Sequence, residues 1–432
     1  MLRRIAPFVF IFALTTTAAQ EVQAQSSSGL KARIEQELFT FGSCGEPLCL
    51  DVDPSLHGNH FKPALSSGNA AVIQFVTNAI GRAAATVPLS ATSGGATFSF
   101  VGGVPVRTST SAGPIFGERS QTLGRGRFFL GMSGTGIKFK SLNGAPMSAL
   151  ELNFQHATGD NDILGDPIFE NDIMNLKLAM DVRVVVGTIS ATAGLTDFID
   201  IGIAVPLVRT SVTGQSTAQM LPFGEGAFHR FGGDNVDPVL RATTSMTGSA
   251  SGLGDIAARL KINFGQGETM GAAVLGEVRL PTGEEENLLG SGSTQVRVQA
   301  IYSAQLGTFS PHLNVGYLVN GSETLSDKIL ILGAFDNLLT DWATLAVGFE
   351  GEIQVNQTSG SLPEPIVFGV PYTRLIPATN IPNIQTNLLR ASVGGKFTVR
   401  EGTVLFANGI FPLTAAGLQP DFIWTVGMDF PF

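Results

Sequence analysis

The sequence predicts an all-β fold, a transmembrane antiparallel β-barrel, and three observations lead to that fold class. Long stretches alternate apolar and polar residues with a period of two, which is typical of strands. Only 14% of the residues are charged, against about 25% in an average soluble protein. Beyond residue 24 no run reaches the roughly 18 apolar residues of a membrane helix, so a closed barrel is the expected way to span a membrane.

The stretch from Ser251 to Gly321 shows the alternation most clearly. Its four runs contain the sequences GDIAARLKINF, GAAVLGEVRL, TQVRVQAIYSAQ and PHLNVGYLVNG, with apolar residues at one parity and Arg, Lys, Glu, Gln, His or Asn at the other. A soluble β-sandwich would alternate in the same way. The connections decide between the two, because they are short, long and short (GQGET, PTGEEENLLGSGS and LGTFS) as in outer-membrane barrels.

The first 24 residues predict a signal peptide. Arg3 and Arg4 precede an apolar region from Ile5 to Leu14, and small residues around Ala24 suit cleavage, with a cut after Ala19 as an alternative. Export to the bacterial outer membrane follows from this signal together with the barrel pattern.

Residues 25–95 differ from the rest and predict an N-terminal plug or periplasmic segment. The stretch from Ser66 to Arg82 predicts one short helix, because Ile73, Val76 and Ile80 follow helical spacing. No sustained pattern marks the stretch from Gly29 to Leu50. A disordered leader is the alternative.

The two cysteines, Cys44 and Cys49, lie in this segment and predict a local disulfide, since the protein is exported. Free thiols or a metal pair are the alternatives. His57 and His60 have no third ligand nearby, so no metal site and no cofactor are expected.

Residues 96–432 are expected to form the barrel, with about fourteen strands and a range of twelve to sixteen. The expected runs begin at Phe98, Pro114, Phe128, Ser148, Met174 and Phe198 and continue through the central block to Asp421. An even number is typical of bacterial single-chain barrels. The polar, glycine-rich segment from Thr210 to Ser249 is interpreted as a long outer loop.

The last strand carries aromatic residues at one parity and ends on Phe432. Trp424, Phe430 and Phe432 resemble the signal by which bacterial outer-membrane proteins are recognised by the barrel assembly machinery. An ordinary closing strand is the alternative interpretation.

The charged residues of the alternating runs are expected to line the lumen, since a charge facing lipid at mid-membrane costs about 2–4 kcal/mol. This interpretation turns the apolar set Leu178, Met180 and Val182 toward lipid. Two roles for these charged residues remain open: they pair with one another and brace the barrel, or they form a polar lining that selects solutes. The predicted lumen residues are Lys177, Asp181, Arg183, Arg259, Lys261, Glu277, Arg279, Arg297, Glu350, Glu352, Arg390 and Lys396.

Several motifs resemble a family of bacterial outer-membrane transporters assigned to the MetA pathway of phenol degradation. They are GLGDI at 252–256, LPTG at 280–283, GSGST at 290–294 and HLNVGY at 312–317, with a weaker match at 113–128. That family is similar in architecture to the fatty-acid and toluene uptake barrels, whose N-terminal segment plugs the lumen. The resemblance implies passage of hydrophobic or aromatic small molecules across the outer membrane.

The leading hypothesis is therefore an uptake channel with outer-membrane lipid and a small apolar solute as partners. A non-selective porin-like channel and a structural or adhesive surface barrel are the alternatives. No nucleophile motif of the Gly-x-Ser-x-Gly type occurs, so an enzyme is not expected. A net charge of −9 argues against a nucleic-acid partner.

Overall fold

A computed structural model describes most of the chain. The described residues are 28–41, 45–48, 50, 61, 73–80, 98–101, 104–107, 115, 117–156, 171–223, 229–234, 236–266, 269–322, 326–355, 363–368, 373–383, 387–400 and 403–432. The predicted signal peptide, the pair Cys44 and Cys49, and His57 and His60 lie outside these residues. No helix in the described ranges is long and apolar enough to cross a membrane, a result that does not bear on β-barrels.

Twelve strands form the barrel, and we number them β1 to β12 in chain order. Their bounds are Phe128–Leu142, Ile173–Gly194, Ile199–Leu221, Ala257–Gln266, Met270–Arg279, Gln295–Ala304, Phe309–Asn320, Lys328–Thr340, Ala343–Gln354, Leu388–Arg400, Thr403–Pro412 and Leu418–Pro431.

The twelve strands close into an antiparallel ring. Every strand pairs with the next one in the chain, and β12 pairs with β1 from Leu418↔Leu142 to Pro431↔Phe129. Closure leaves no unpaired edge, which a sheet in lipid requires. The predicted fold class is confirmed, with twelve strands in place of about fourteen.

The two ends of the barrel differ in their connections. Only two to four residues separate β2 from β3, β4 from β5, β6 from β7, β8 from β9 and β10 from β11, and the strand ends that these steps join lie at the end that also holds Phe432. The long connections lie at the opposite end. By the rule for outer-membrane barrels the short turns are periplasmic and the long loops face outward.

Strands β2 and β3 continue beyond the ring on the outer side. There β2 pairs with the strand Leu150–Gln155, and β3 pairs with the strand Arg241–Leu253. The interpretation of 210–249 as a loop is therefore wrong over most of its length. The outer face of this extension lies in water and not in lipid, so it carries Ser, Thr and Gln. The apolar and polar alternation that predicts a lipid-facing strand is therefore weak here.

The remaining elements are small. A hairpin of Phe98–Val101 and Val104–Arg107 is separate from the barrel sheet, so the barrel begins at Phe128 and not near residue 96. Two further hairpins lie in the outer loops, and Ala145–Pro146 pairs with β1. The bounds of the other pieces are Gly232–Gly233, Pro238–Val239, Ile366–Phe368, Arg374–Ile376 and the 3-10 turn Glu285–Asn287.

The outward-facing side chains of β4 to β11 form an apolar belt. Val298, Leu313, Phe349 and Val393 are among the exposed apolar residues of this belt. Trp342 lies at its periplasmic edge, with its ring 6.1 Å from that of Phe397. An apolar belt with aromatic residues at its edge is the surface that lipid-facing barrels present.

The side chains of β2 point to the sides opposite to those predicted. Leu178, Met180 and Val182 are buried on the inner side, whereas the side chains of Lys177 and Arg183 are 68% and 60% exposed on the outside. The inner assignment of Lys177, Asp181 and Arg183 is therefore wrong. The physical reason is that this part of β2 lies above the membrane, where its apolar face packs against the N-terminal segment and its charged face contacts water.

Part of the N-terminal segment packs on that inner apolar face. The helix Leu30–Glu37 was not predicted, although Leu30, Ile34 and Leu38 follow helical spacing. Leu38 lies over Gly214 of β3 so closely that a Cβ on Gly214 would come within 2.8 Å of it. Residues 73–80 are also helical, within the helix expected from Ser66 to Arg82.

Candidate functional site

The inner wall of β4, β5 and β6 holds a cluster of arginines around one carboxylate. Glu277 accepts hydrogen bonds from Arg259 at 2.6 Å, Arg297 at 2.8 Å and Arg279 at 3.4 Å. The Glu277 side chain is 4% exposed. These four predicted lumen residues lie together because facing positions on neighbouring strands bring Arg259, Glu277 and Arg297 side by side.

A second charged network lies on β8, β9 and β10. Glu352 accepts from Lys328 at 2.6 Å and from Arg390 at 2.7 Å, while Arg390 also reaches Glu350 at 3.4 Å. Lys328 was absent from the predicted set, although it begins an alternating run. Charges of both signs are thus paired across neighbouring strands, which is the bracing arrangement considered from the sequence.

The two remaining predicted residues, Lys261 and Lys396, lie deeper toward the periplasm. The ammonium of Lys396 is 3.5 Å from Asp429 of β12. Lys261 is 3.3 Å from Glu118, which precedes the barrel in the chain. Both lysine side chains are almost completely buried, so something other than water fills this part of the lumen.

The filling element is an extended segment, residues 117–123, which crosses the lumen. Asn314 holds both backbone groups of Glu118, at 2.9 and 3.0 Å. Asn263 donates to the carbonyl of Ser120 at 2.7 Å, and the amide of Leu123 donates to Asp200 at 3.0 Å. Inward polar side chains of these three strands therefore supply the hydrogen-bond partners that water would otherwise give to the backbone of the segment.

One buried ion pair holds the centre of that segment. Arg119 is 2.5 Å from Asp336 of β8, and Asp336 also contacts His312 of β7. The Arg119, Asp336 and His312 side chains are at most 3% exposed. Sequence reasoning missed this site, and the available signal was the inward parity of His312 and Asp336 on their strands.

The lumen wall on β1 and β2 is apolar, whereas the wall on β4 to β10 carries the charged networks. Ile137 and Phe139 of β1 and Val182 and Val184 of β2 face inward and belong to one buried cluster. The N-terminal residues that complete this cluster include Leu30, Ile34, Leu38 and Phe39. Hydrogen bonds from Ser216 to the Leu38 carbonyl (2.5 Å) and from Thr244 to the Glu37 carbonyl (2.9 Å) fix the end of the helix.

Loop residues pack together at the outer mouth. The guanidinium of Arg374 lies between the rings of Phe223 and Phe368, at 4.5 and 4.6 Å from their centres, and donates to the Asn171 carbonyl at 3.1 Å. Burial against these rings lowers the pKa of Arg374 below its ordinary value. The contacts join three separate outer loops into one packed layer.

Of the predicted assembly residues, Trp424 and Phe430 lie on β12 and Phe432 follows it directly. The side chains of Trp424 and Phe432 are exposed on the outer surface, and the backbone of Phe432 exchanges hydrogen bonds of 3.1 and 2.7 Å with Phe128. Among the described residues no three His, Cys, Asp or Glu side chains form a group that could hold a metal ion.

A closed ring of antiparallel strands with an apolar outer belt and a charged interior defines an integral β-barrel protein of the bacterial outer membrane. Residues 175–360 match the family model described as "Putative MetA-pathway of phenol degradation". The resemblance deduced from the sequence motifs is confirmed over that part of the chain.

Solved outer-membrane barrels are similar to this chain at low identity. An outer-membrane channel of the COG4313 group from Pseudomonas putida F1 is 12% identical, with a TM-score of 0.43 over 72% of this chain and 98% of that one. A FadL homologue from Pseudomonas aeruginosa is 10% identical, with a TM-score of 0.33 over 71% of this chain and 89% of that one. The TodX monoaromatic hydrocarbon channel (a deltaS2 mutant) is 9% identical, with a TM-score of 0.34 over 73% of this chain and 91% of that one. No curated protein matches the chain.

Proposed function

We propose that this protein is an outer-membrane channel for the uptake of hydrophobic or aromatic small molecules. The observation that carries the proposal is the apolar inner wall on β1 and β2, formed by Ile137, Phe139, Val182 and Val184. Channels for hydrophilic solutes have a polar interior, whereas pockets for apolar ligands are lined mainly by apolar side chains. The similar TodX structure is described as a monoaromatic hydrocarbon channel, which agrees with this solute class.

Two layers of chain would control passage. In the outer layer the N-terminal helix and its neighbours cover the apolar wall, and in the inner layer residues 117–123 cross the lumen nearer the periplasm. A solute that enters from outside would first displace apolar contacts and then require the inner segment to shift. The N-terminal region therefore acts as a plug, and the charged wall holds it in place.

Uptake measurements distinguish this function from its alternatives. Cells that lack their general porins and express the protein should take up an apolar naphthylamine probe faster than cells without it, while proteoliposomes should not swell in sugars. Fast sugar swelling would indicate a porin-like channel. If neither probe uptake nor sugar swelling increases, the structural or adhesive barrel is the alternative that agrees with the data.

A matched pair of variants tests the apolar wall itself. Val184→Thr places a hydroxyl on the inner face, whereas Val185→Thr places the same group on the lipid side of the same strand. The proposed function requires the first to slow probe uptake and the second to leave it unchanged. Equal probe uptake by both variants would mean that the solute does not pass along this inner wall.

Loosening the inner segment should open the channel. Asn263→Ala with Asn314→Ala removes three hydrogen bonds to the backbone of residues 118–120, each worth about 1 kcal/mol. A total of roughly 3 kcal/mol favours the open state by about two orders of magnitude. Single-channel recording in planar bilayers measures the open probability.

Gln299→Ala is the control for this experiment, since Gln299 faces the same lumen without a hydrogen bond to the described residues 117–123. Unchanged conductance in the double asparagine variant would mean that the segment is a permanent part of the wall.

We propose further that the chain is exported through a cleaved signal peptide and inserted by the barrel assembly machinery through its last strand. Deleting Phe432 removes an exposed ring and two backbone hydrogen bonds to β1. The heat-modifiable barrel in outer membranes should fall several-fold while secretion continues. Normal barrel levels after this deletion would argue against an assembly signal at the terminus.

A further inference from the structure

A row of cations crosses the outer surface of β1, β2 and β3. Lys138 of β1 stands directly opposite Arg183 of β2. Arg183 stands opposite Ser211, so Arg209, two residues before Ser211 on β3, is its diagonal neighbour on the same face. Lys140 extends the row along β1. Facing and diagonal neighbours on a sheet lie roughly 5–8 Å apart, so one ligand can reach several of these groups.

The row has more positive than negative charge. Asp181 lies 2.9 Å from Lys138 and 2.8 Å from Arg183, and Asp421 pairs with Lys140. Two carboxylates thus face four cations, and both Lys138 and Arg183 remain more than half exposed. Two cations placed directly opposite each other repel, and Asp181 relieves that repulsion only in part.

The row lies at the outer edge of the lipid-facing belt. Immediately toward the periplasm the outward side chains become apolar, with Val185 49% and Leu207 55% exposed. On β1 the next outward residue is Gly136, which is covered by the indole of Trp424. An indole beside cations at the edge of an apolar surface is typical of a membrane interface.

The charge is confined to one side of the barrel. Among the described residues, the outward positions paired through β4 to β11 are apolar, small or uncharged. A general interaction with a charged membrane surface would spread cations around the rim. The localised row on three neighbouring strands instead suits one defined ligand.

We propose that Lys138, Lys140, Arg183 and Arg209 bind the phosphate groups of an acylated glucosamine disaccharide, the phosphorylated glycolipid type of the outer leaflet. Its acyl chains would lie along Val185, Leu207 and Trp424. A phosphate monoester carries nearly two negative charges, and a guanidinium binds it through two parallel hydrogen bonds. A phosphodiester lipid carries one negative charge, so it neutralises the surplus positive charge of the row less completely.

Native mass spectrometry of the full-length protein in detergent tests this binding. The probes are a bis-phosphorylated, six-chain glucosamine disaccharide lipid, the same lipid without phosphates, and phosphatidylglycerol. Lys138→Gln with Arg183→Gln should weaken binding of the bis-phosphorylated lipid at least about tenfold. It should leave binding of the phosphate-free lipid unchanged. Arg125→Gln, an exposed cation at the periplasmic end, is the matched control and should have no effect.

Asp181→Asn should change the affinity for the bis-phosphorylated lipid in the opposite direction. This carboxylate competes with phosphate for Lys138 and Arg183, so its neutralisation should strengthen binding several-fold, which a purely structural role would not do. The proposal is overturned if the double glutamine variant binds the bis-phosphorylated lipid like the parent, or if Asp181→Asn weakens it. Equal loss of phosphatidylglycerol binding in the double variant would also overturn it, because general attraction of anions would then explain the row.

Discussion

Replacing Glu277 with glutamine is expected to destabilise the folded barrel by about 3–5 kcal/mol. Glu277 is the shared carboxylate of Arg259, Arg279 and Arg297. Glutamine keeps the shape and an acceptor oxygen but removes the negative charge. Three guanidiniums then face one another in a wall where the central side chain is 4% exposed, and water cannot screen them well. Urea unfolding of the protein folded into lipid vesicles measures the free energy.

The same chain offers a control and a rescue for that experiment. Glu350→Gln removes a carboxylate that is 33% exposed, and Arg390 keeps Glu352 at 2.7 Å, so the loss should be below about 1 kcal/mol. Arg297→Gln added to Glu277→Gln should recover part of the stability, since it removes one of the repelling charges. Equal losses from Glu277→Gln and Glu350→Gln would show that the lumen wall is hydrated.

The second large effect concerns the lipid face of β2. Ile189 is 49% exposed within the outward apolar run between Val185 and Leu195. Ile189→Arg should cost about 2–4 kcal/mol, the penalty for a basic residue near the bilayer midplane. The measurement is again the unfolding free energy in vesicles of defined thickness, and a thinner bilayer should reduce the penalty.

Thr213→Arg is the matched control on the neighbouring strand. Thr213 faces outward opposite Asp181, in the extension above the membrane, so an arginine there should cost close to nothing. If Thr213→Arg were as costly as Ile189→Arg, the lipid-facing belt would extend to Thr213. The outer boundary of the membrane would then lie higher on β2 and β3 than described above.

The prediction for Met180 changes with the facing of β2. If Met180 faced lipid, as the alternation was interpreted, an arginine at this position would be costly because of lipid contact. Met180 instead belongs to the apolar cluster beneath the N-terminal segment. A charge there would still be costly, because it would be buried without a partner. The mutation therefore cannot distinguish the two facings, whereas the pair Ile189 and Thr213 can.

Local patterns were sufficient for the fold class and for much of the charged lumen. Alternation from Ile256 to Val319 defined four strands, and the structure places their polar parity inside, with Arg259, Glu277 and Arg297 in contact. This worked because each strand in the belt has lipid on one face, and lipid excludes charge. The partner Asp336 of Arg119 was missed, since the two residues are 217 positions apart.

The sequence by itself determined that this protein is an outer-membrane barrel, because period-two alternation, low charge and loop asymmetry are properties of short stretches of chain. Only the tertiary structure decided where each strand leaves the membrane and which face of β2 is inside. Alternation fixes that Val182 and Arg183 point to opposite sides, but not which side is the interior. The N-terminal segment decides that, since Leu38 and its neighbours bury the apolar face of β2 and leave Arg183 in water.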